Sequence, residues 1–311
     1  MWHYIVMALG WIIKTIYDLV QNYGVAIILF TIVVKLILLP LNIKSQKAMK
    51  KQQKIQPIIA ELQKKYANDQ QKLQQEMMKV YKENNVSMMG GCLPMFIQMP
   101  ILIALYQAIQ KPLTYMFNVP YKNVPQDVIE KVTELAKAAG EKVGDVSQLL
   151  SIDQIKISSW AGQVGGKLHE WYINFDFLGL DLSRKPQDAL AFLGNPMENL
   201  SVVLLLLIPI LSLASSILQN KITMAQSGQD KNSANDQAQS MNSVMKWMMP
   251  IMTGYFTLIL PAGIGLYWIV SGLIQIIQQL ALNYYFEKKG EDVVVKVPEK
   301  HYQHGKKGKK H

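Results

Sequence analysis

The chain has 311 residues, half of them hydrophobic, and a net charge of +10 carried by 31 lysines and one arginine, Arg184. A single cysteine, Cys92, excludes an intramolecular disulfide, and five scattered histidines make no metal-ligand spacing. No zinc motif, Walker A loop, GxSxG elbow or dinucleotide fingerprint is present, which argues against an enzyme and implies no cofactor.

The hydrophobic residues gather into blocks of roughly 16–20, with the charges between them. A hydrocarbon core of ~30 Å takes about 20 helical residues, so blocks of this length predict membrane spans. The fold class that follows is an all-α polytopic membrane protein with five transmembrane helices.

Residues 1–22, MWHYIVMALGWIIKTIYDLVQN, are apolar but interrupted by His3, Lys14 and Asp18. Trp2, Tyr4, Trp11 and Tyr17 are types that favour the membrane interface. This predicts an amphipathic helix lying on the membrane surface, with a sixth span as the alternative. The segment lacks the basic n-region and small-residue cleavage site of a signal peptide. The first span is 24–42, ended by Pro40. Residues 43–90 then carry ten lysines and four acids. Within them Ala48, Ile55, Ile59, Leu62 and Tyr66, and again Leu73, Met77, Val80 and Tyr81, recur at helical spacing. Asn68-Asp69 supplies a turn and an N-cap, so the block predicts a helical hairpin with a narrow apolar seam. Pro57 starts a fresh helix or bends the first one. The hairpin looks too small for a core of its own, which predicts mobility.

The second span, 92–117, contains Pro94 and Pro100, tolerated where neighbours satisfy the freed carbonyls. Residues 118–198 form a polar insert; 126–142 in it has a helical pattern, and FDFLGLDLS at 175–183 alternates like an extended segment at the interface. The third span is 199–219, with Pro209 inside. Residues 220–244, rich in Gln, Ser, Asn and Asp, predict a flexible loop. Spans four and five are 245–260 and 264–286, joined by a tight Pro261-Ala262-Gly263 turn. The tail, 287–311, carries eight lysines and four acids and ends HGKKGKKH, a disordered composition. Cytoplasmic loops collect lysine. That puts 43–90, 220–244 and the C-terminus in the cytosol.

Lys35 stands inside the first apolar run, GVAIILFTIVVKLILLPL. At ~1.5 Å per residue it lies about 16 Å below Gly24 and about 9 Å above Leu41, in the inner half of the membrane. A snorkelling lysine, its head at the cytoplasmic headgroups, satisfies that geometry. Against it, a charge near mid-membrane costs about 2.5–3.5 kcal/mol, and such residues usually face a bundle interior or water. Thr31 lies one turn above on the same face. Other spans carry polar groups as well: Gln98 and Gln107; Ser212, Ser215, Ser216 and Gln219; Ser271 and Gln275. Each glutamine alone is explained by an interhelical hydrogen bond, and Gln278 and Gln279 by an interfacial depth. Together, five helices with polar faces can enclose a wet cavity holding one positive charge. The five spans contain no Asp or Glu, which argues against proton- or sodium-coupled transport.

The stretch QPIIAELQKKYANDQQKLQQEMMKVYKENNVSMMGGCLPMFIQMPILIALYQAI at 56–109 resembles the YidC membrane protein insertases. So does LPAGIGLYWIVSGLIQIIQQ at 260–279, and the Lys35 run is similar to the family's first core span. The resemblance covers 24–117 and 175–286, and is to the shorter, Gram-positive type. It implies five core helices around a hydrophilic groove open to the cytosol, with a cytoplasmic hairpin. Lys35 stands where many members have arginine, and Gln98, Trp268 and, less directly, Gln219 fall at groove positions beside Thr31. The implied function is insertase and chaperone: short polar segments of nascent membrane proteins cross through the groove while their apolar segments pass into lipid. The implied partners are those substrates, the ribosome through the basic tail and hairpin, the Sec translocon, and anionic lipids. On the residues alone an anion-favouring channel or small-solute transporter stays open, as does a scaffold. Inverted repeats, which would support a transporter, are not found.

Overall fold

The computed structural model describes residues 2–86, 93–119, 126–138, 154–163, 166–192, 200–227 and 236–288. They are mostly helical and divide into two compact units, one of residues 1–37, 97–215 and 251–274, the other of 38–96, 216–250 and 275–311.

In the first unit, α1 (Trp2–Val20) and α2 (Tyr23–Ile37) are joined by two residues and pack together. Asn22 makes the junction. Its Oδ1 accepts from the Val25 amide at 3.1 Å, an N-cap for α2, and its Nδ2 donates to the Asp176 carbonyl at 2.8 Å. Gly10 lets α1 lie against the backbone of Tyr115, where a Cβ would collide with the carbonyl. Tyr115 belongs to the short α6 (Pro112–Tyr115), which follows α5 (Leu93–Gln110). Further contacts fix the sense of α1: Trp2 Nε1 donates to Gln107 Oε1 at 3.1 Å, and the Tyr17 hydroxyl accepts from the Asn174 amide at 2.8 Å.

The insert has a small core of its own. Leu113, Val132, Ile157 and Ala161 are buried together, covered by Phe117, Val119, Ile129 and Trp171. They bring together α6, α7 (Gln126–Ala138) and α8 (Gln154–Trp160). The helix expected over 126–142 is present over its described part. FDFLGLDLS folds as a tight antiparallel hairpin, β1 (Asp176–Phe177) with β2 (Leu180–Asp181), pairing Asp176 with Asp181 and Phe177 with Leu180.

The third expected span begins as α9 (Leu200–Leu204) and continues as α10 (Leu207–Ser227). After it come α11 (Asp236–Ile259) and α12 (Ala262–Lys288), with only Leu260 and Pro261 between them. Ser212 and Thr257 meet through their hydroxyls at 2.8 Å, so α10 and α11 are in contact at a buried polar pair. The first amides of α12 would be orphaned at a helix start. Instead the Ala262 and Gly263 amides donate to the Arg184 and Leu182 carbonyls at 2.8 and 3.0 Å.

In the second unit, α3 (Leu39–Lys65) runs through Pro57 and packs against α4 (Gln70–Glu83). Asp69 caps α4, accepting from the Lys72 amide at 3.0 Å. The seam residues read from periodicity, Ile55, Ile59, Leu62, Leu73, Val80 and Tyr81, are buried together with Val86. The expectation that this segment lacks a core is therefore corrected: two narrow stripes, each too small alone, bury each other. Burial raises the Tyr81 phenol above its ordinary range, with a hydrogen bond from Gln52 pulling the other way.

Residues 220–244 also depart from expectation. Helix α10 continues to Ser227 and α11 starts at Asp236. The polar composition hid a packed extension: Met224 is buried, Asn220 Nδ2 donates to the Lys246 carbonyl at 2.9 Å, and Gln279 Nε2 donates to Thr223 Oγ1 at 3.3 Å. Gln279 is thus buried and hydrogen-bonded between helices. Residues 228–235 and the tail from 289 lie outside the described residues.

Among the described residues, Trp2–Val20, Leu200–Ala225 and Ala262–Lys288 are long and apolar enough to cross a membrane. The pair α2 and α3 makes a fourth if counted as one broken span, and Met99–Gln110 is a shorter apolar helix.

Candidate functional site

Along α2 the exposed residues are Leu29, Ile32, Val33, Leu36 and Ile37, all aliphatic. The buried ones include Ile27, Phe30, Thr31, Val34 and Lys35. Lys35 is only 5 % exposed. Its stem therefore does not lie along the aliphatic face, as a snorkelling side chain would. The helix places it there by period alone: 27, 31 and 35 are spaced by four, and 27, 30 and 34 by three and four.

Thr31 is fully buried one turn above Lys35, and its hydroxyl donates to the Ile27 carbonyl at 2.6 Å. Its hydrogen is used by its own helix, so toward any neighbour Thr31 can only accept. Trp268 is half-buried on α12, between the buried Tyr267 and Ser271. Gln98 lies on α5, its side chain outside those described. These four residues belong to the first unit; half-buried Gln219, on α10, falls in the second. Gln107, expected as a polar face of the second span, is engaged by Trp2.

The second unit holds a feature that periodicity did not single out. Lys47 and Lys50 lie over the ring of buried Phe286, at 5.5 and 4.9 Å from its centroid. Lys50 Nζ also reaches the Asn283 carbonyl at 3.4 Å. Cations near the last turn of a helix complement its carbonyls and dipole, and a ring face adds attraction. A cleft of about 280 Å³ opens beside them, lined by Gln46, Met49, Lys50, Gln53, Lys54 and Glu287 among others. The signal was in the sequence: Lys47, Lys50 and Lys54 share one helical face. Among the described residues no group of His, Cys, Asp or Glu is placed to hold a metal ion.

The family model described as 60Kd inner membrane protein matches residues 15–289. This chain belongs to that family, the YidC membrane protein insertases. A YidC insertase of Clostridium perfringens is 35 % identical over 267 residues, which is 85 % of this chain and 79 % of the relative. A Listeria innocua YidC 2 is 30 % identical over 93 % of this chain and 74 % of the relative. A YidC of Mannheimia succiniciproducens is 31 % identical over 92 % of this chain but 38 % of its own length. The bounds of the family match enclose residues 118–174, which the sequence motifs did not reach. YidC proteins are non-enzymatic insertases and chaperones of the bacterial inner membrane, so no catalytic residue is assigned here.

Proposed function

We propose that this YidC-family chain inserts nascent membrane proteins through a hydrophilic groove among five spans, with Lys35 as its cationic contact. The observation that carries the reading is the burial of an ammonium-bearing side chain on the protein face of α2, opposite an aliphatic face. Moving a polar segment through dry hydrocarbon is the barrier to insertion. A wet recess in the inner half of the membrane shortens that dry path. Lys35 holds an acidic stretch of the substrate by charge pairing, which strengthens as the dielectric falls. Thr31, Gln98 and Trp268 line the path. The apolar segment leaves sideways, driven by burial in lipid at about 25 cal/mol per Å², and a membrane potential negative inside favours export of the acidic segment.

The chain enters its first span from outside and ends in the cytosol, with the 43–90 hairpin on the cytosolic side. The contacts of α1 support a surface position. Trp2 touches Gln107, within one turn of the end of α5, and Gly10 and Tyr17 touch Tyr115 and Asn174 beyond it. A crossing α1 would carry Trp2 to the other end of α5. Nascent membrane proteins are the substrates; the ribosome and the Sec translocon are partners, with the basic tail contacting ribosome or anionic lipid.

The test is reconstitution of the purified protein with a small single-span substrate bearing an acidic leading segment. Lys35→Arg is expected to insert it and Lys35→Ala to fail. Full insertion by Lys35→Glu refutes a role for the positive charge.

A further inference from the structure

Leu178 stands at the apex of the β1–β2 turn with φ +55°, followed by Gly179 at +77°. Two-residue hairpin loops with both central residues at positive φ take Asn-Gly or Asp-Gly. A branched aliphatic residue there is strained, because its Cβ crowds the backbone at positive φ. Asp176 offsets part of that, its Oδ1 accepting from the Gly179 amide at 3.4 Å. Leu178 nevertheless packs on almost nothing: it is 86 % exposed. In water the apex would be both strained and apolar, and Asn would serve the turn better. Taking a leucine side chain out of water is favourable and offsets strain of this kind.

The position of the apex supplies the solvent. The hairpin is tied to the N-terminal ends of two apolar helices. Phe177 covers Gly24 at the first turn of α2 so closely that a Cβ there would collide with its ring. Asn22 binds the Asp176 carbonyl, and the Leu182 and Arg184 carbonyls take the first amides of α12. The apex is therefore held level with the first turns of both apolar helices; for helices that span a bilayer, that level is the boundary between headgroups and acyl chains.

We propose that the Leu178-Gly179 turn is a lipid-inserting tip, seated in the leaflet at the N-terminal ends of α2 and α12. The lipid is recognised by its acyl chains, not by a particular headgroup. The seat clamps the outer surface of the insert to the bilayer beside the first span. This rests on α2 and α12 being membrane spans, not on insertase activity or on which face is cytosolic.

The full chain with Cys92→Ser and Leu178→Cys, carrying a nitroxide at 178, is reconstituted in phosphatidylethanolamine–phosphatidylglycerol vesicles. The same label at exposed Lys65, at the C-terminal end of α3, is the aqueous control. Collision with oxygen, which concentrates in acyl chains, is compared with collision with a water-soluble nickel chelate. The expected result is an oxygen-to-nickel ratio several-fold higher at 178 than at 65. Equal ratios at the two sites overturn the proposal, because the apex is then in water. An immobilised label shielded from both reagents overturns it too, because a protein surface then covers the apex. Neither outcome touches the Lys35 insertion assay, so the two readings fail separately.

Discussion

Helices α2 and α3 follow each other along the chain and distribute lysine in opposite ways. In α2 the one lysine is buried and every exposed side chain is aliphatic. In α3 all seven lysines are exposed or half-exposed, and the buried positions are mostly apolar. One burial rule applied to two solvents gives both patterns. Facing lipid, a helix puts hydrocarbon outward and must find protein or water for its charge. Facing water, it puts charge outward and hides its apolar seam. The change comes between Lys35 and Lys44, at the break between the two helices.

The sharpest way to break this comparison is to move the buried charge. Lys35→Glu should reduce insertion of an acidic substrate by roughly ten- to a hundredfold, the equivalent of a lost charged contact of about 1.5–3 kcal/mol. Val33→Lys in a Lys35→Ala background keeps a lysine on α2 but on the aliphatic face. It should not restore insertion, and recovery in a vesicle assay would mean that the face is irrelevant. In the aqueous pattern the seam is the sensitive part. Ile59→Ala should destabilise the α3–α4 pair by about 2–5 kcal/mol, seen as lost hydrogen-exchange protection over 55–86 with the protection of α2 unchanged. Asp69→Ala should cost about 1 kcal/mol as a lost cap, read as faster exchange at the first amides of α4. Smallest is Lys50→Gln, which gives up a ring contact of about 0.5–1 kcal/mol. It should shift proteolysis near Phe286 slightly and leave α2 untouched.

Local rules made the hairpin legible. The spacing of Ile55, Ile59 and Leu62 against Leu73, Val80 and Tyr81 named nearly the whole seam, and Asp69 was recognisable as a cap. The short Pro261 connection was equally plain. What failed were inferences from composition. The run from Asn220 reads as loop because it is polar, but a helix already formed propagates cheaply where even one side, here Met224 and Thr223, finds a partner. The pairing of Gln279 with Thr223, and of Trp2 with Gln107, joins residues far apart in sequence, and no window on the chain contains both. Of the site, the period of α2 placed Lys35 and Thr31 on one face. It could not say that the Thr31 hydroxyl turns back to its own helix, because that depends on a rotamer.

The Ser212–Thr257 seam bears on where a translocating chain cannot go. Ser212 also bonds to the Pro209 carbonyl at 3.0 Å, and Thr257 to the Thr253 and Gly254 carbonyls at 2.9 Å each. Both hydroxyl hydrogens are thus committed within the seam. A polar segment meeting this seam would gain no donor from either hydroxyl, so the Ser212–Thr257 contact acts as a closed joint between α10 and α11.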